Sequence, residues 1–169
     1  SAASDVYKRQ LGCKCHWDLR VRRSRHSTRW VAGAAAMSLF GFASPVDIEI
    51  RLEDEHERKH VDVKLENQAR DQCPVYYDGE SVRGSVVLHP RSGKRLQHDG
   101  IRIEFIGCIE LFYDRGNHYE FLSLGQDIAA PGEVHATETL PFEFKNVEKP
   151  YENYNGINVK LRYFLRVTL

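Results

Sequence analysis

Alternation of apolar and charged residues is the clearest pattern along this chain. Apolar Ile101, Ile103 and Phe105 alternate with charged Arg102 and Glu104. Successive side chains of a β-strand point to opposite faces, whereas those of a helix repeat every 3.6 residues. The stretch therefore predicts a β-strand with one face on a core and the other in water.

The same period of two extends over residues 157–169. The opposite face of this stretch is polar except for Phe164. The pattern predicts a long closing strand that covers a core with one face. The predicted core face comprises Ile157, Val159, Leu161, Tyr163, Leu165, Val167 and Leu169.

Strand signals recur at short intervals from residue 46 to the end of the chain. They are separated by turn-forming pairs such as Asp78-Gly79, Asp99-Gly100 and Asn155-Gly156. No amphipathic helical pattern of 10 to 15 residues interrupts them, so the sequence predicts an all-β sandwich. The predicted strands are Val46–Leu52, His60–Leu65, Pro74–Tyr77, Ser81–His89, Leu96–Asp114, Tyr119–Leu124, Thr137–Phe144 and Ile157–Leu169.

The first 36 residues differ from the rest of the chain in charge and pattern. They hold eight Lys or Arg against two Asp or Glu, in a chain with 24 of each, so residues 37–169 are net acidic. Such a segment fits an organelle transit peptide or a nucleic-acid-binding arm. It does not begin with Met, however, and it has no sustained period. We therefore predict that Met37, the one methionine of the chain, is the natural start. Residues 1–36 would then be a disordered leader that is either non-native or translated from upstream sequence. Residues 37–169 would form one sandwich.

Cysteine usage from Met37 onward indicates a reducing compartment. Only Cys73 and Cys108 remain, and neither a signal peptide nor an apolar run of transmembrane length precedes them. Cys108 lies in a predicted strand, where a buried free thiol is expected, and Cys73 precedes Pro74 in a predicted connection. We expect a cytoplasmic protein.

His56, Glu57 and His60 form a literal H-E-x-x-H sequence, which suggests a zinc metalloprotease. On a helix, the two histidines share one face and bind the metal while the Glu activates water. Here the motif lies in a charged connection between two predicted strands, and its surroundings offer no apolar helix face. We interpret it as a solvated hairpin tip and expect no metal site, with the zinc enzyme as the distant alternative.

Arg91, Lys94 and Arg95 form a basic connection between predicted strands. The run lacks the leading Gly and the following Ser or Thr of a phosphate-binding loop. We interpret it as an exposed loop, with a patch facing an anionic membrane as the alternative.

A nucleophile elbow is also absent from the sequence, and the net negative charge of residues 37–169 disfavours nucleic acid as a partner. The sequence thus predicts no catalytic residue, no cofactor and no enzyme.

Four segments resemble a known family over about Met37 to Leu169. They are YDGESVRGSVVL (77–88), GKRLQHDGIRIEFIGCIELFYD (93–114), PGEVHATETLPFEF (131–144) and VEKPYENYNGINVKLRYFLRVTL (147–169). They closely resemble the N-terminal half of vacuolar protein sorting-associated protein 26, the arrestin-like subunit of retromer. The resemblance implies an arrestin-like (immunoglobulin-like) β-sandwich, of which only the N-terminal subdomain is present.

The resemblance also implies a function, that of a non-catalytic adaptor in endosomal cargo retrieval. The implied partners are sorting nexins, the cytosolic tails of cargo receptors and the large helical-solenoid subunit of retromer, the last mainly through the missing second subdomain. The implied location is the cytoplasmic face of endosomes, as a peripheral membrane protein. In animal members, the Asp of the YDGE motif helps to engage the PDZ module of a sorting nexin. This role is carried over to Asp78, and we extend it to Tyr77, Gly79 and Glu80 of the same turn, for which turn formation alone is the simpler interpretation.

The adaptor interpretation leaves one close alternative open. An arrestin-like subunit of another endosomal recycling complex, or an arrestin-type trafficking adaptor, would have the same kind of sandwich. Recovery of the retromer solenoid subunit with the full-length gene product would separate the two.

Overall fold

The computed structural model describes residues 22–23, 27–28, 46–64, 70–91, 95–112 and 117–169. One 3₁₀ turn, Glu55–Glu57, lies between the third and fourth strands. Among the described residues there is no helix with the length and apolar character needed to cross a bilayer. The strands are β1 (Arg22–Arg23), β2 (Ser27–Thr28), β3 (Val46–Leu52), β4 (His60–Lys64), β5 (Arg70–Pro74), β6 (Val82–Pro90), β7 (Leu96–His98), β8 (Ile101–Leu111), β9 (Asn117–Ala129), β10 (Gly132–Val134), β11 (Glu138–Phe144), β12 (Tyr154–Asn155) and β13 (Val159–Thr168).

The larger sheet has the strand order β2-β1-β13-β8-β9, and β12 also pairs with β13. Its centre is the antiparallel pair of β8 and β13, in which Phe105 lies opposite Leu165 and Ile103 opposite Val167. Directly opposed residues share a sheet face. The two alternating patterns seen in the sequence therefore meet on one side of the sheet and form a continuous apolar surface.

A second layer covers this apolar surface. It contains the three-stranded sheet β11-β6-β3, and the pairs β4-β5 and β10-β7 complete the described strands. The main core joins Phe105 and Leu165 of the larger sheet to Val86 and Leu88 of β6 and Phe142 of β11, all at most 3% exposed. The predicted all-β sandwich is confirmed.

The outer face of the larger sheet has an apolar centre of its own. Ile106, Cys108 and Phe164 form a separate buried cluster there, with Phe164 fully buried. This is the residue that broke the polar face in the sequence pattern. Beside the cluster, Arg166 donates hydrogen bonds to Glu104 at 2.7 Å and to Glu120 of β9 at 3.0 Å. Charged residues on this face are therefore paired around a small apolar centre.

Several predicted element boundaries differ from the structure. The predicted strand Pro74–Tyr77 is wrong, because β5 ends at Pro74, and Cys73 consequently lies buried inside a strand. Asp99-Gly100 divides the predicted strand Leu96–Asp114 into β7 and β8. Ile157 is 94% exposed because β13 starts two residues later, at Val159. The alternation of apolar and polar residues does not indicate at which residue a strand begins or ends.

Most of the predicted leader lies outside the described residues, as does Met37. Within it, β1 pairs with β2, and Arg22 of β1 lies opposite Thr168 of β13 in parallel. The division into a leader, 1–36, and a sandwich, 37–169, stays a prediction.

Candidate partner-binding site

The predicted site residues Tyr77, Asp78, Gly79 and Glu80 form one tight turn between β5 and β6. The Glu80 amide donates to the Tyr77 carbonyl at 3.3 Å, which closes the turn. Gly79 has φ +78°, a conformation that side-chain-bearing residues rarely adopt. A Cβ at Gly79 would meet no atom within 4 Å. Glycine is therefore favoured here by the backbone conformation and not by lack of space.

This turn is not a hairpin tip, because β5 and β6 belong to different sheets. It is fastened instead to the segment that follows β11. The Gly79 amide donates to the Val147 carbonyl at 2.9 Å, and the Val147 amide donates to the Glu80 carbonyl at 3.0 Å. The Lys149 amide adds a hydrogen bond of 2.6 Å to Oδ1 of Asp78. Tertiary contacts thus set the position of the turn.

The two carboxylates of the turn have different surroundings. Oε2 of Glu80 accepts hydrogen bonds from the Tyr77 amide and from Nη1 of Arg58, both at 2.9 Å. The Glu80 side chain therefore stabilises the turn through hydrogen bonds inside the protein. Asp78 is exposed, and among the residues that the structure describes, its Oδ2 makes no hydrogen bond. Tyr77 is 38% exposed, so the outward surface of the turn consists of Tyr77, Asp78 and Gly79.

Lys149 lies behind the turn and was not predicted from the sequence. It is only 5% exposed, and its Nζ donates to the carbonyl oxygen of Tyr76 at 3.0 Å. The same Nζ lies 5.7 Å from the centroid of the Tyr76 ring and 5.9 Å from that of Tyr163. Lysine is rarely buried unless it is paired in this way. Its position between Val147 and Pro150 offered no periodic signal of burial.

The basic loop is only partly described, since Lys94 lies outside the described residues. Arg91 forms two hydrogen bonds with the carboxylate of Asp47, at 2.8 and 3.1 Å. The hydrogen bond from Arg91 holds the pKa of Asp47 below its ordinary value. Arg95 lies 3.7 Å from a carboxylate oxygen of Glu133. Each described cation of the loop faces an acidic group, which lowers the positive charge available to an anionic surface.

The H-E-x-x-H residues do not lie on an α-helix. His56 and Glu57 belong to the 3₁₀ turn, and Arg58 is already extended, with φ −79° and ψ 152°. His60 begins β4, and its Nδ1 lies 2.8 Å from the carbonyl oxygen of Arg58. Within the described ranges, no group of three or more His, Cys, Asp or Glu is placed to hold a metal ion. The i and i+4 arrangement that gives the motif its chemistry is not formed. The connection is not a hairpin tip either, since β3 pairs with β6 and β4 with β5.

Comparison with known proteins identifies relatives over most of the chain. The model of the family vacuolar protein sorting-associated protein 26 matches residues 42–169. Vacuolar protein sorting-associated protein 26B is 55% identical in Danio rerio, 54% in Homo sapiens and 53% in Xenopus tropicalis, each over 134 residues. These matches cover 79% of this chain and 40% of each relative. The chain thus spans about two fifths of the length of the relatives it matches.

Proposed function

The chain belongs to the vacuolar protein sorting-associated protein 26 family, and we propose that it serves as the N-terminal part of a non-catalytic adaptor subunit of retromer. Its fold is the arrestin-like β-sandwich of that family. The proposed process is the retrieval of membrane cargo from endosomes to the Golgi and to the plasma membrane. Identity of 53–55% over 134 residues supports this function over that of another arrestin-like adaptor.

The proposed location and partners follow from membership of the family. The protein would act at the cytoplasmic face of endosomes as a peripheral component of the complex. Sorting nexins and the cytosolic tails of cargo receptors are its proposed partners. The large helical-solenoid subunit would bind mainly through a second subdomain, outside the two fifths of the relatives that this chain matches. Each contact is weak alone, and their combination in one assembly gives stable recruitment.

Within this function, we assign the docking of a sorting-nexin PDZ module to the Tyr77–Glu80 turn. The observation that carries the assignment is the hydrogen bond from the Lys149 amide to Oδ1 of Asp78. It fixes the carboxylate through Oδ1, while Oδ2 of the exposed Asp78 accepts no hydrogen bond from the residues that the structure describes. A turn that is ordered before binding loses less conformational entropy when a partner docks. Tyr77 adds a half-exposed aromatic ring beside this charge.

Two substitutions of Asp78 separate its charge from its hydrogen bond. Asp78→Asn keeps an oxygen that accepts from the Lys149 amide but removes the negative charge, whereas Asp78→Ala removes both. We expect either change to weaken binding of the isolated PDZ module by roughly tenfold or more, measured by calorimetry, because a charged contact at a protein interface is lost.

A matched control is available in the second Asp-Gly turn. Gly100 also has positive φ, +125°, and the exposed Asp99 precedes it. Asp99→Asn should therefore leave PDZ binding unchanged. If Asp78→Asn retained the fold and bound the module with unaltered affinity, the assignment of the docking site would be wrong.

A further inference from the structure

Two cations hold the ring of Tyr76, the residue directly before the turn. The guanidinium carbon of Arg58 lies 3.9 Å from the ring centroid, and Nζ of Lys149 lies 5.7 Å from it. Tyr76 is only 2% exposed. Cation–π contacts gain strength when they are shielded from water. Arg58 and Lys149, which are far apart in the sequence, therefore both restrain the buried ring.

Both cations also bind the backbone or the carboxylate of the same segment. Nη1 of Arg58 donates to Oε2 of Glu80 at 2.9 Å and to the carbonyl oxygen of Val75 at 3.2 Å. Nζ of Lys149 donates to the carbonyl oxygen of Tyr76. Arg58 thus bridges the residue at the end of the turn and the residue that precedes Tyr76.

Arg58 is supplied by the segment that carries the H-E-x-x-H sequence. It follows the 3₁₀ turn directly, and the carbonyl of Lys59 accepts a hydrogen bond of 2.8 Å from the Val75 amide. The segment therefore runs alongside the approach to the Tyr77–Glu80 turn. Through these contacts with residues 75–80, the charged connection stabilises the approach to the turn, a role that the H-E-x-x-H sequence did not indicate.

We propose that Arg58 and Lys149 are positioning residues for partner docking. They do not touch the partner. They hold the Tyr77–Glu80 turn in the conformation that presents Asp78, and this inference rests on the function proposed for that turn. The planar guanidinium suits Arg58 to the task because it stacks on a ring while its N–H groups reach two acceptors. A lysine ammonium at this position lacks the flat surface for stacking.

The test uses the 169-residue chain with Arg58→Ala, Arg58→Lys and Lys149→Met. Amide hydrogen exchange is followed by NMR at Gly79 and Val147, whose N–H groups fasten the turn, and at Phe105 and Leu165 in the core. Binding of the isolated PDZ module is measured in parallel. Arg102→Ala is the control, because it breaks an arginine–carboxylate pair with Asp127 that joins β8 to β9 and includes no residue of the turn.

We expect Arg58→Ala to speed exchange at Gly79 about tenfold or more, since a hydrogen bond to a charged group is removed. Exchange at Phe105 and Leu165 should stay unchanged, and Arg58→Lys should lie between Arg58→Ala and the parent. PDZ binding should weaken in the same order. Since Arg58 acts through the turn, Arg58→Ala should weaken binding less in an Asp78→Asn background than in the parent.

The outcomes separate this inference from the proposed function. Unchanged exchange at Gly79 in Arg58→Ala would overturn the positioning role, whatever the PDZ module does. Faster exchange at Gly79 with unchanged PDZ binding in Arg58→Ala, together with weaker binding in Asp78→Asn, would overturn the positioning role in docking and leave the docking assignment intact. Unchanged PDZ binding in a folded Asp78→Asn variant would overturn the docking assignment itself. Should Lys149→Met fail to fold, the partly exposed Arg58 still provides the test.

Discussion

The backbone amide of Lys149 donates a hydrogen bond of 2.6 Å to the side chain of Asp78, 71 positions earlier in the chain. The bond links the turn between β5 and β6 to the segment that follows β11. It gives Asp78 a role in the folded state in addition to its proposed role in binding. The predicted loss of partner binding on substitution of Asp78 would therefore have two sources, which stability measurements separate.

Asp78→Ala should lower the free energy of unfolding by about 1 to 2 kcal/mol, because it leaves the Lys149 amide without its charged acceptor. Asp78→Asn, which keeps an acceptor oxygen, should lower it by no more than about 0.5 kcal/mol. Urea unfolding followed by fluorescence measures both values. Equal losses for the two variants would show that the hydrogen bond does not stabilise the turn.

Arg166→Met should destabilise the sandwich more than the loss of any exposed ion pair. Arg166 binds Glu104 at 2.7 Å and Glu120 at 3.0 Å. The Arg166 and Glu104 side chains are only 17% and 16% exposed. Burial acts to lower the pKa of Arg166, but the hydrogen bonds and charges of the two glutamates raise it overall. Removal of the cation leaves two largely buried carboxylates without their shared partner, and we expect a loss of about 2 to 4 kcal/mol.

Arg102→Met is the matched control for Arg166 on the same sheet. Its partner is Asp127, and the two side chains are 47% and 75% exposed. Exposed pairs contribute little, so the change in unfolding free energy should stay within about 0.5 kcal/mol. Similar losses for Arg102→Met and Arg166→Met in urea unfolding would contradict the difference in burial as the cause.

The carboxyl group of Asp47 should titrate below pH 3.8, because Arg91 donates two hydrogen bonds to it. A lowered pKa means that the ion pair stabilises the fold above the unfolded-state pKa. That contribution is lost as the pH falls through the folded-state value. NMR titration of the carboxyl carbon gives the midpoint, which should rise towards 3.8 in Arg91→Ala. An unchanged midpoint in this variant would show that Arg91 is not the cause.

Asp47→Asn should increase binding to vesicles that contain anionic lipids. The substitution removes the negative charge that faces Arg91, and each basic residue near an anionic surface contributes about 1 kcal/mol to binding. Vesicle sedimentation at low salt measures the effect, with neutral vesicles as the control. If neutralisation of Arg91, Lys94 and Arg95 together left vesicle binding unchanged, the loop would have no membrane-facing role.

Zinc should not raise the unfolding temperature of this chain. His56 and His60 are separated by a 3₁₀ turn that ends at Glu57 and by extended Arg58, so the helical face on which this motif binds zinc is not formed. Thermal unfolding with and without equimolar zinc should give the same midpoint, and His56→Ala should not alter that result. Stoichiometric zinc that is lost in His56→Ala would contradict this prediction.

The central strands and the turn were predictable from the sequence because their signals are local. The alternation around Ile103 and along β13 requires only that one face be buried, and it located both strands to within a few residues. Asp78-Gly79 predicted a turn because glycine readily adopts positive φ. Resemblance of four segments to a known family then indicated the arrestin-like sandwich, and it is the source of the binding role that we propose for the turn.

The pairing of strands and the surroundings of the turn were decided only by the tertiary structure. No local pattern indicates that Lys149 is buried against Tyr76 or that Arg58 reaches Glu80, since these contacts join segments 73 and 22 positions apart. The sequence by itself determined the two central strands and the tight turn, because backbone sterics and alternation act between neighbours. The three-dimensional packing determined which side chains hold that turn, because burial and ion pairing depend on residues that meet only after folding.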